Sequence, residues 1–158
     1  MYADALSASA AGKPILLVNT ELAPVQKAYL STLNTENLFV IGGAGVVPEQ
    51  VRADAEKYGK VKRIFGSTRY ETSVAVAKEF FGDAFDSVTL AYALDYPDGL
   101  AGGPLALANR GPLLLVSADE ANNRAAAEYI GGAVAGGFVL GGPTFVPDDA
   151  VKYILGIS

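Results

Sequence analysis

Four short blocks of this chain occur twice, in the same order and at nearly the same distance. Tyr2-Ala3-Asp4-Ala5-Leu6 returns as Tyr96-Pro97-Asp98-Gly99-Leu100, and Pro14-Ile15-Leu16-Leu17-Val18 returns as Pro112-Leu113-Leu114-Leu115-Val116. Val40-Ile41-Gly42-Gly43 returns as Val139-Leu140-Gly141-Gly142, and Val47-Pro48 returns as Val146-Pro147. The offset is 94 for the first block, 98 for the second and 99 for the last two. The second copy thus carries extra residues in its first helix, around Pro104 to Ala108, and one more before its Gly-Gly strand. This period is too long for a solenoid unit and matches a small domain, so one architecture must be built twice. The stretch from about Val61 to Tyr92 occurs once. The chain therefore divides into residues 1–60, the last two-thirds of one copy, and residues 61–158, a second and nearly complete copy.

Within each copy, strand-like and helix-like patterns alternate. Helical patterns fall near 3–11, 23–33, 48–58, 68–82, 97–110, 121–131 and 147–155. Strand patterns fall near 14–18, 37–41, 61–65, 87–93, 112–116 and 136–140. The strands are short, continuous apolar runs, as expected where helices cover both faces of a sheet. The order predicts an α/β fold: alternating βα units, mostly parallel three-layer sheets and right-handed crossovers. Pro48 and Pro147 suit a first helical turn, and Gly59 and Gly156 suit left-handed caps. Thr68-Arg69-Tyr70-Glu71 and Ser117-Ala118-Asp119-Glu120 both have capping-box spacing. Tyr70, Val74, Ala77 and Phe81 fall on one helical face. The runs Ala8-Ser9-Ala10-Ala11 and Ala101-Gly102-Gly103 mark helices that approach closely.

Composition removes most chemistries. The 158 residues include no His and no Cys. That excludes a Ser-His-Asp triad, a Cys nucleophile, disulfides, iron–sulfur clusters and His/Cys zinc sites. Seventeen acids against twelve bases give a net charge of −5, and no basic stripe for nucleic acid is visible. No apolar run is long enough to span a membrane. The first residues, Met1-Tyr2-Ala3-Asp4, lack the basic start and apolar stretch of a signal peptide, and the abrupt helical opening reads as a piece of a longer protein.

Three constellations remain. The turns beginning Gly42-Gly43 and Gly141-Gly142 each join a strand to a helix. Such turns present N–H groups to a phosphate, or serve only as tight turns; no Walker lysine follows. Tyr2-x-Asp4 and Tyr96-x-Asp98 open small-residue helices, where the carboxylate caps its helix, pairs with an arginine of a neighbouring copy, or binds a sugar hydroxyl. Arg63 and Arg69 flank Gly66, with Tyr70 and Glu71 following. Two arginines at one turn either clamp a phosphate or carboxylate or form ion pairs that fix how copies dock. Asp95, Asp98 and Glu71 make a poor magnesium set, and no cofactor is expected.

The single-occurrence block Arg63-Ile64-Phe65-Gly66-Ser67-Thr68-Arg69-Tyr70-Glu71-Thr72 resembles the R-x-x-G-x-x-R-Y-E-T opening of the type 2 cell-wall-binding repeat of Gram-positive surface proteins. Tyr96 to Ala101 resembles its F-x-D-A-L-A block, Pro112 to Val116 its P-I-L-L segment, and Val139 to Gly142 its I-x-G-G segment. Tyr replaces Phe at 2 and 96, and Gly replaces Ala at 99. The resemblance implies Toprim-like repeat units, three of which pack about a pseudo-threefold axis. It implies a secreted protein held non-covalently on an anionic, teichoic-acid-like wall polymer, with neighbouring repeats or other copies as partners and with neither nucleic acid nor membrane insertion. Toprim catalysis does not carry over, because the expected Glu and Asp-x-Asp set is missing. The expected function is a non-catalytic wall-anchoring module. The alternatives are a nucleotide- or phosphosugar-binding enzyme fragment and a purely self-associating structural repeat.

Overall fold

The computed structural model describes residues 2–132 and 134–157, with the side chain of Tyr96 excepted. Among the described residues there are seven helices and five strands, alternating from α2 onward: α1 (Ala3–Ser9), α2 (Pro24–Thr32), β1 (Asn37–Ile41), α3 (Glu49–Ala55), β2 (Lys60–Ile64), α4 (Arg69–Phe81), β3 (Ser87–Tyr92), α5 (Tyr96–Ala108), β4 (Leu113–Val116), α6 (Glu120–Ile130), β5 (Gly136–Leu140) and α7 (Asp148–Leu155). All strand pairs are parallel. They form a β1–β2 sheet and a second sheet in the order β4–β3–β5. β2, which opens the stretch that occurs once in the sequence, is therefore hydrogen-bonded to β1, the last strand before it.

The three-stranded sheet is the middle of three layers, and its side chains sort by parity. Val88, Leu90, Leu114 and Val116 meet Val74 and Ala77 of α4, Ala126 and Ile130 of α6, and Ile154 of α7. Ala91, Leu113 and Leu115 face the other way, onto Ala10 beyond the end of α1 and Ala106 of α5. Every residue of β4 is buried because both of its faces are covered. A smaller core of Leu22, Leu30, Val40, Val47, Val51 and Ala55 gathers α2, β1 and α3. Ala8, Ile64 and Val76 join the two halves. α4 thus contributes to several cores, a wider apolar surface than the single face its sequence predicts.

β4 lies at a sheet edge, and a side chain serves one of its outward backbone groups. Ser73 Oγ accepts the Leu115 N–H at 3.1 Å and donates to the Tyr70 carbonyl at 2.7 Å. Just past the strand, Asn123 accepts from Ser117 N at 3.0 Å and donates to Ser117 O at 2.8 Å. Burying such backbone groups without partners would cost about 1–3 kcal/mol each.

Three local expectations are corrected. Residues 14–18 form no strand, although their sequence nearly duplicates β4. β4 has β3 beside it to complete a ladder, whereas residues 14–18 have no such neighbour among the described residues, and Ile15 and Leu17 are exposed. The cap of α6 is Asp119, which accepts from Ala121 N, while Ser117 belongs to the preceding turn. Gly59 does not cap α3, whose C-cap is Glu56, three residues earlier. An added Cβ at Gly59 would lie 3.0 Å from the Thr35 carbonyl, so its smallness serves the entry into β2.

The small-residue runs pack α1 against α5 across the repeat boundary. An added Cβ at Gly103 would lie 1.8 Å from Ser9 Oγ and 2.7 Å from Ser9 Cβ. Gly103→Ala should therefore destabilise the chain by about 1–3 kcal/mol, and Ser9→Gly in the same chain should recover part of that. Chemical denaturation checks both.

In the smaller half, Asp54 ties α3 to α2 through Lys27 at 3.2 Å and also meets Lys57, just past its own helix, at 2.7 Å. Hydrogen bonds from Lys57 and then Lys27 hold its carboxyl below the ordinary 3.8. The lowered value means that its stabilising contribution is complete above the ordinary pKa and is lost as pH falls through the lowered one. Acid titration followed by circular dichroism should show stability declining below about pH 4, and Asp54→Asn should flatten that decline. An unchanged acid limb in the variant would assign the decline to other groups.

Candidate functional site

Both copies build the same corner at the carboxyl end of their last strand. After β1, Gly42 has φ +116°, and after β5, Gly141 has φ +128°. Only glycine adopts such angles without strain. Each turn then closes on its second glycine: Val46 N and Val47 N donate to the Gly43 carbonyl, and Phe145 N and Val146 N donate to the Gly142 carbonyl. The aspartate of the Tyr-x-Asp block lies against the turn in each copy. An added Cβ at Gly42 would fall 2.9 Å from Asp4 Oδ2, and one at Gly141 would fall 3.4 Å from Asp98 Oδ2. Asp4 is not a helix cap, since α1 has no side-chain cap.

Arg63 occupies the first corner. It leaves β2 opposite Val40 and donates from Nη1 to Gly42 O at 2.6 Å and to Val47 O at 2.9 Å. Its Nη2 stands 3.0 Å from Glu49 Oε1, and only 11% of its side chain is exposed. A planar fork suits this three-way contact in a way that an ammonium does not. Its two carbonyl acceptors and Glu49 belong to the first copy, while the arginine belongs to the second.

Arg69 sits nearby. Its Nη1 donates to Ala93 O at 2.8 Å, and its charge acts on Asp4. Burial pushes the Asp4 carboxyl above its ordinary value, and Arg69 opposes that rise. The rest of the Arg-Tyr-Glu-Thr block shapes its own turn. Thr68 Oγ1 accepts from Glu71 N at 3.2 Å, Glu71 accepts from Ser67 N at 2.7 Å, and Thr72 Oγ1 accepts from Gly66 N at 3.0 Å. An added Cβ at Gly66 would stand 2.3 Å from Glu71 Cβ, so the turn requires glycine. Tyr70 is buried in the sheet core. Tyr2 is exposed. The Tyr96 side chain lies outside the described residues.

The structure thus gathers Asp4, Gly42, Arg63 and Arg69 at one corner and Asp98 and Gly141 at the equivalent one. Glu71 works within its own turn. Among the described residues no cluster of Asp or Glu has the grouping of a metal site.

A shallow groove lies where β3 and β4 end, the edge at which open parallel sheets bind ligands. Tyr70, Tyr92, Leu94, Ser117, Asp119, Asn122, Thr144 and Phe145 are among the residues that line it. The rings of Tyr92 and Phe145 are 4.7 Å apart and tilted by 30°. Asn122 donates to Ser117 Oγ at 3.2 Å beside them. Flat rings flanked by hydroxyl, amide and carboxylate groups can hold the apolar and polar faces of a sugar. Sequence reasoning selected Tyr70 but passed over Tyr92, Asn122 and Phe145. Tyr92 was visible as an aromatic residue near a strand's carboxyl end; Phe145 and Asn122 are joined to it only by folding.

Arg63→Met should destabilise the fold by about 2–4 kcal/mol, since two carbonyls lose a charged donor. Arg63→Lys should recover less than half of that loss, and chemical denaturation of the three chains measures both effects.

Comparison with known proteins places these features. A family model described as cell wall binding domain 2 (CWB2) matches residues 1–52 and 63–151. The chain is 31% identical over 108 residues to the amidase enhancer of Bacillus subtilis, covering 68% of this chain and 15% of that protein. It is 30% identical over 128 residues to the N-acetylmuramoyl-L-alanine amidase LytC of the same organism, covering 77% of this chain and 25% of that protein. Among solved structures, Cwp6 from Clostridium difficile superposes with a TM-score of 0.82 at 21% identity, over 99% of this chain and 26% of that one. Cwp8 from the same organism gives 0.78 at 20% identity, over 99% and 28%. These structures share the α/β fold, and the chain spans only a fraction of each relative's length. With the family model matching most of the chain, in both copies, the chain belongs to the cell wall binding domain 2 family of cell-wall-binding modules.

Proposed function

We propose that this chain is a non-catalytic module that holds a secreted surface protein non-covalently on an anionic, teichoic-acid-like wall polymer. The observation that carries this reading is membership of a cell-wall-binding family over both copies of the repeat. The absence of His and Cys from the sequence supports a binding role over hydrolysis. Two of the relatives carry amidase-related names, and in this reading the wall chemistry of such proteins resides outside the portion matched here.

The contacts favour a particular division of labour. Arg63 and Arg69 are engaged with backbone carbonyls and carboxylates of the chain itself, so they hold the repeats together. The aromatic groove of Tyr92 and Phe145 is the surface for the sugar backbone of the polymer. A chain of net charge −5 is repelled by an anionic polymer at long range, so affinity has to come from close contact. Raising ionic strength should then strengthen retention or leave it unchanged, the reverse of a basic patch.

Co-sedimentation with purified Gram-positive walls tests the proposal. The chain should pellet with intact walls and stay in solution once the anionic polymer is chemically removed. Tyr92→Ala with Phe145→Ala should weaken retention about tenfold, a loss near 1.4 kcal/mol, with the melting temperature tracked as a control. Equal pelleting with stripped walls would overturn the reading.

A further inference from the structure

The two copies share a sequence pattern but not a groove. The aromatic groove lies where β3 and β4 end, and the first copy's counterpart of β4, residues 14–18, is not a strand. At the offset of 98, Ser117 is matched by Asn19, Asp119 by Glu21 and Asn122 by Pro24; at the offset of 99, Phe145 is matched by Val46. Tyr92 belongs to the stretch that occurs once. The first corner therefore has a valine and a proline where the second has a ring and an amide.

The walls of the groove select by charge and by hydrogen-bonding sense. None of the lining residues is basic, and the one charged residue among them is Asp119. An anion placed there meets a carboxylate with no cation to offset it. Asp119 gives one oxygen to the cap at Ala121 N, at 3.0 Å. Asn122 donates to Ser117 Oγ at 3.2 Å. The second Asp119 oxygen and the Asn122 carbonyl oxygen are left as acceptors, which call for a ligand that donates, as a hydroxyl does. This wall is held in place beforehand: Asn123 brackets the Ser117 backbone, and Ser117 Oγ also accepts from Asp119 N at 3.2 Å. Opposite the acceptors, the tilted rings of Tyr92 and Phe145 offer a flat apolar surface to the C–H face of a sugar ring. The space is about 240 Å³. It equals the bulk volume of roughly eight waters, room for one six-membered ring and not for a string of them.

We infer that this groove is a subsite for one uncharged pyranose ring, that the charged linkages of the polymer stay outside it in solvent, and that the chain carries one such subsite despite its two copies. The inference rests on the polymer reading for the source of the sugar and deepens it. A chain of net charge −5 holds an anionic polymer by the part of that polymer that bears no charge.

Nuclear magnetic resonance titration of the intact chain tests this. Methyl glucoside and N-acetylglucosamine should shift the amide resonances of Leu94, Asn122, Thr144 and Phe145 with a single millimolar affinity, and should leave Asn19 and Val46 in place. Phe145→Ala should weaken the effect about tenfold without altering resonances distant from the groove. Glycerol phosphate, a charged linkage alone, and tetramethylammonium, a cation for the rings and carboxylate, should shift none of these residues. Shifts from glycerol phosphate, shifts from tetramethylammonium with none from the sugars, or equal shifts at Val46 would overturn the inference. Two further probes assign the source. The neutral oligosaccharide left after the released polymer is dephosphorylated should shift the same resonances, and soluble glycan fragments of stripped walls should not. Shifts from the stripped-wall glycan alone would overturn the polymer reading and keep the ring-sized subsite. Retention on walls with no shift from any sugar would overturn the subsite and keep the polymer reading.

Discussion

A parallel strand exists only where another strand lies beside it, and this requirement organises the molecule. Leu113–Val116 is a strand because β3 runs alongside it. Its near-duplicate at 14–18 has no such neighbour among the described residues and stays outside both sheets. β1 is completed by β2, which opens the stretch that occurs only once in the sequence. Hydrogen bonding therefore joins the repeated part of the sequence to the part that occurs once.

Arg63 makes that crossing specific. Strand pairing alone tolerates slippage, whereas a guanidinium that must reach two carbonyls and a carboxylate fixes the register. The glycines support it: Gly42 turns the chain so that its carbonyl faces the arginine, and Gly103 lets α1 and α5 close over the seam. The R-x-x-G-x-x-R-Y-E-T block thus reads as an assembly device. Its residues cap a turn, fill a core and grip the preceding copy, which leaves polymer contact to the aromatic groove in the functional reading proposed above.

Much of the fold was legible in the sequence. Hydrophobic alternation located all seven helices and five of the six expected strands, and the repeat implied equivalent corners. What remained hidden has one physical cause: each hidden feature depends on a partner distant in sequence. The apolar run at 14–18 is indistinguishable from β4 until the neighbouring strand is considered. Asn123 and Ser73 look like ordinary helical polar residues, yet they serve backbone groups at β4 and the turn that follows it. Arg63 was selected for its odd place within a strand, but its acceptors, two of them backbone carbonyls, carry no sequence signature. The ring pairing of Tyr92 and Phe145 likewise exists only after β3 and the turn following β5 are brought together.

Residue-resolved amide exchange on the unmodified chain tests the central claim most directly, because it asks where strand pairing exists. The account predicts strong protection of Leu114 and Leu115 in β4 and of β1 on its β2 side, with fast exchange at Leu16 and Leu17. Protection of residues 14–18 equal to that of β4, or fast exchange throughout β1 and β2, would contradict it.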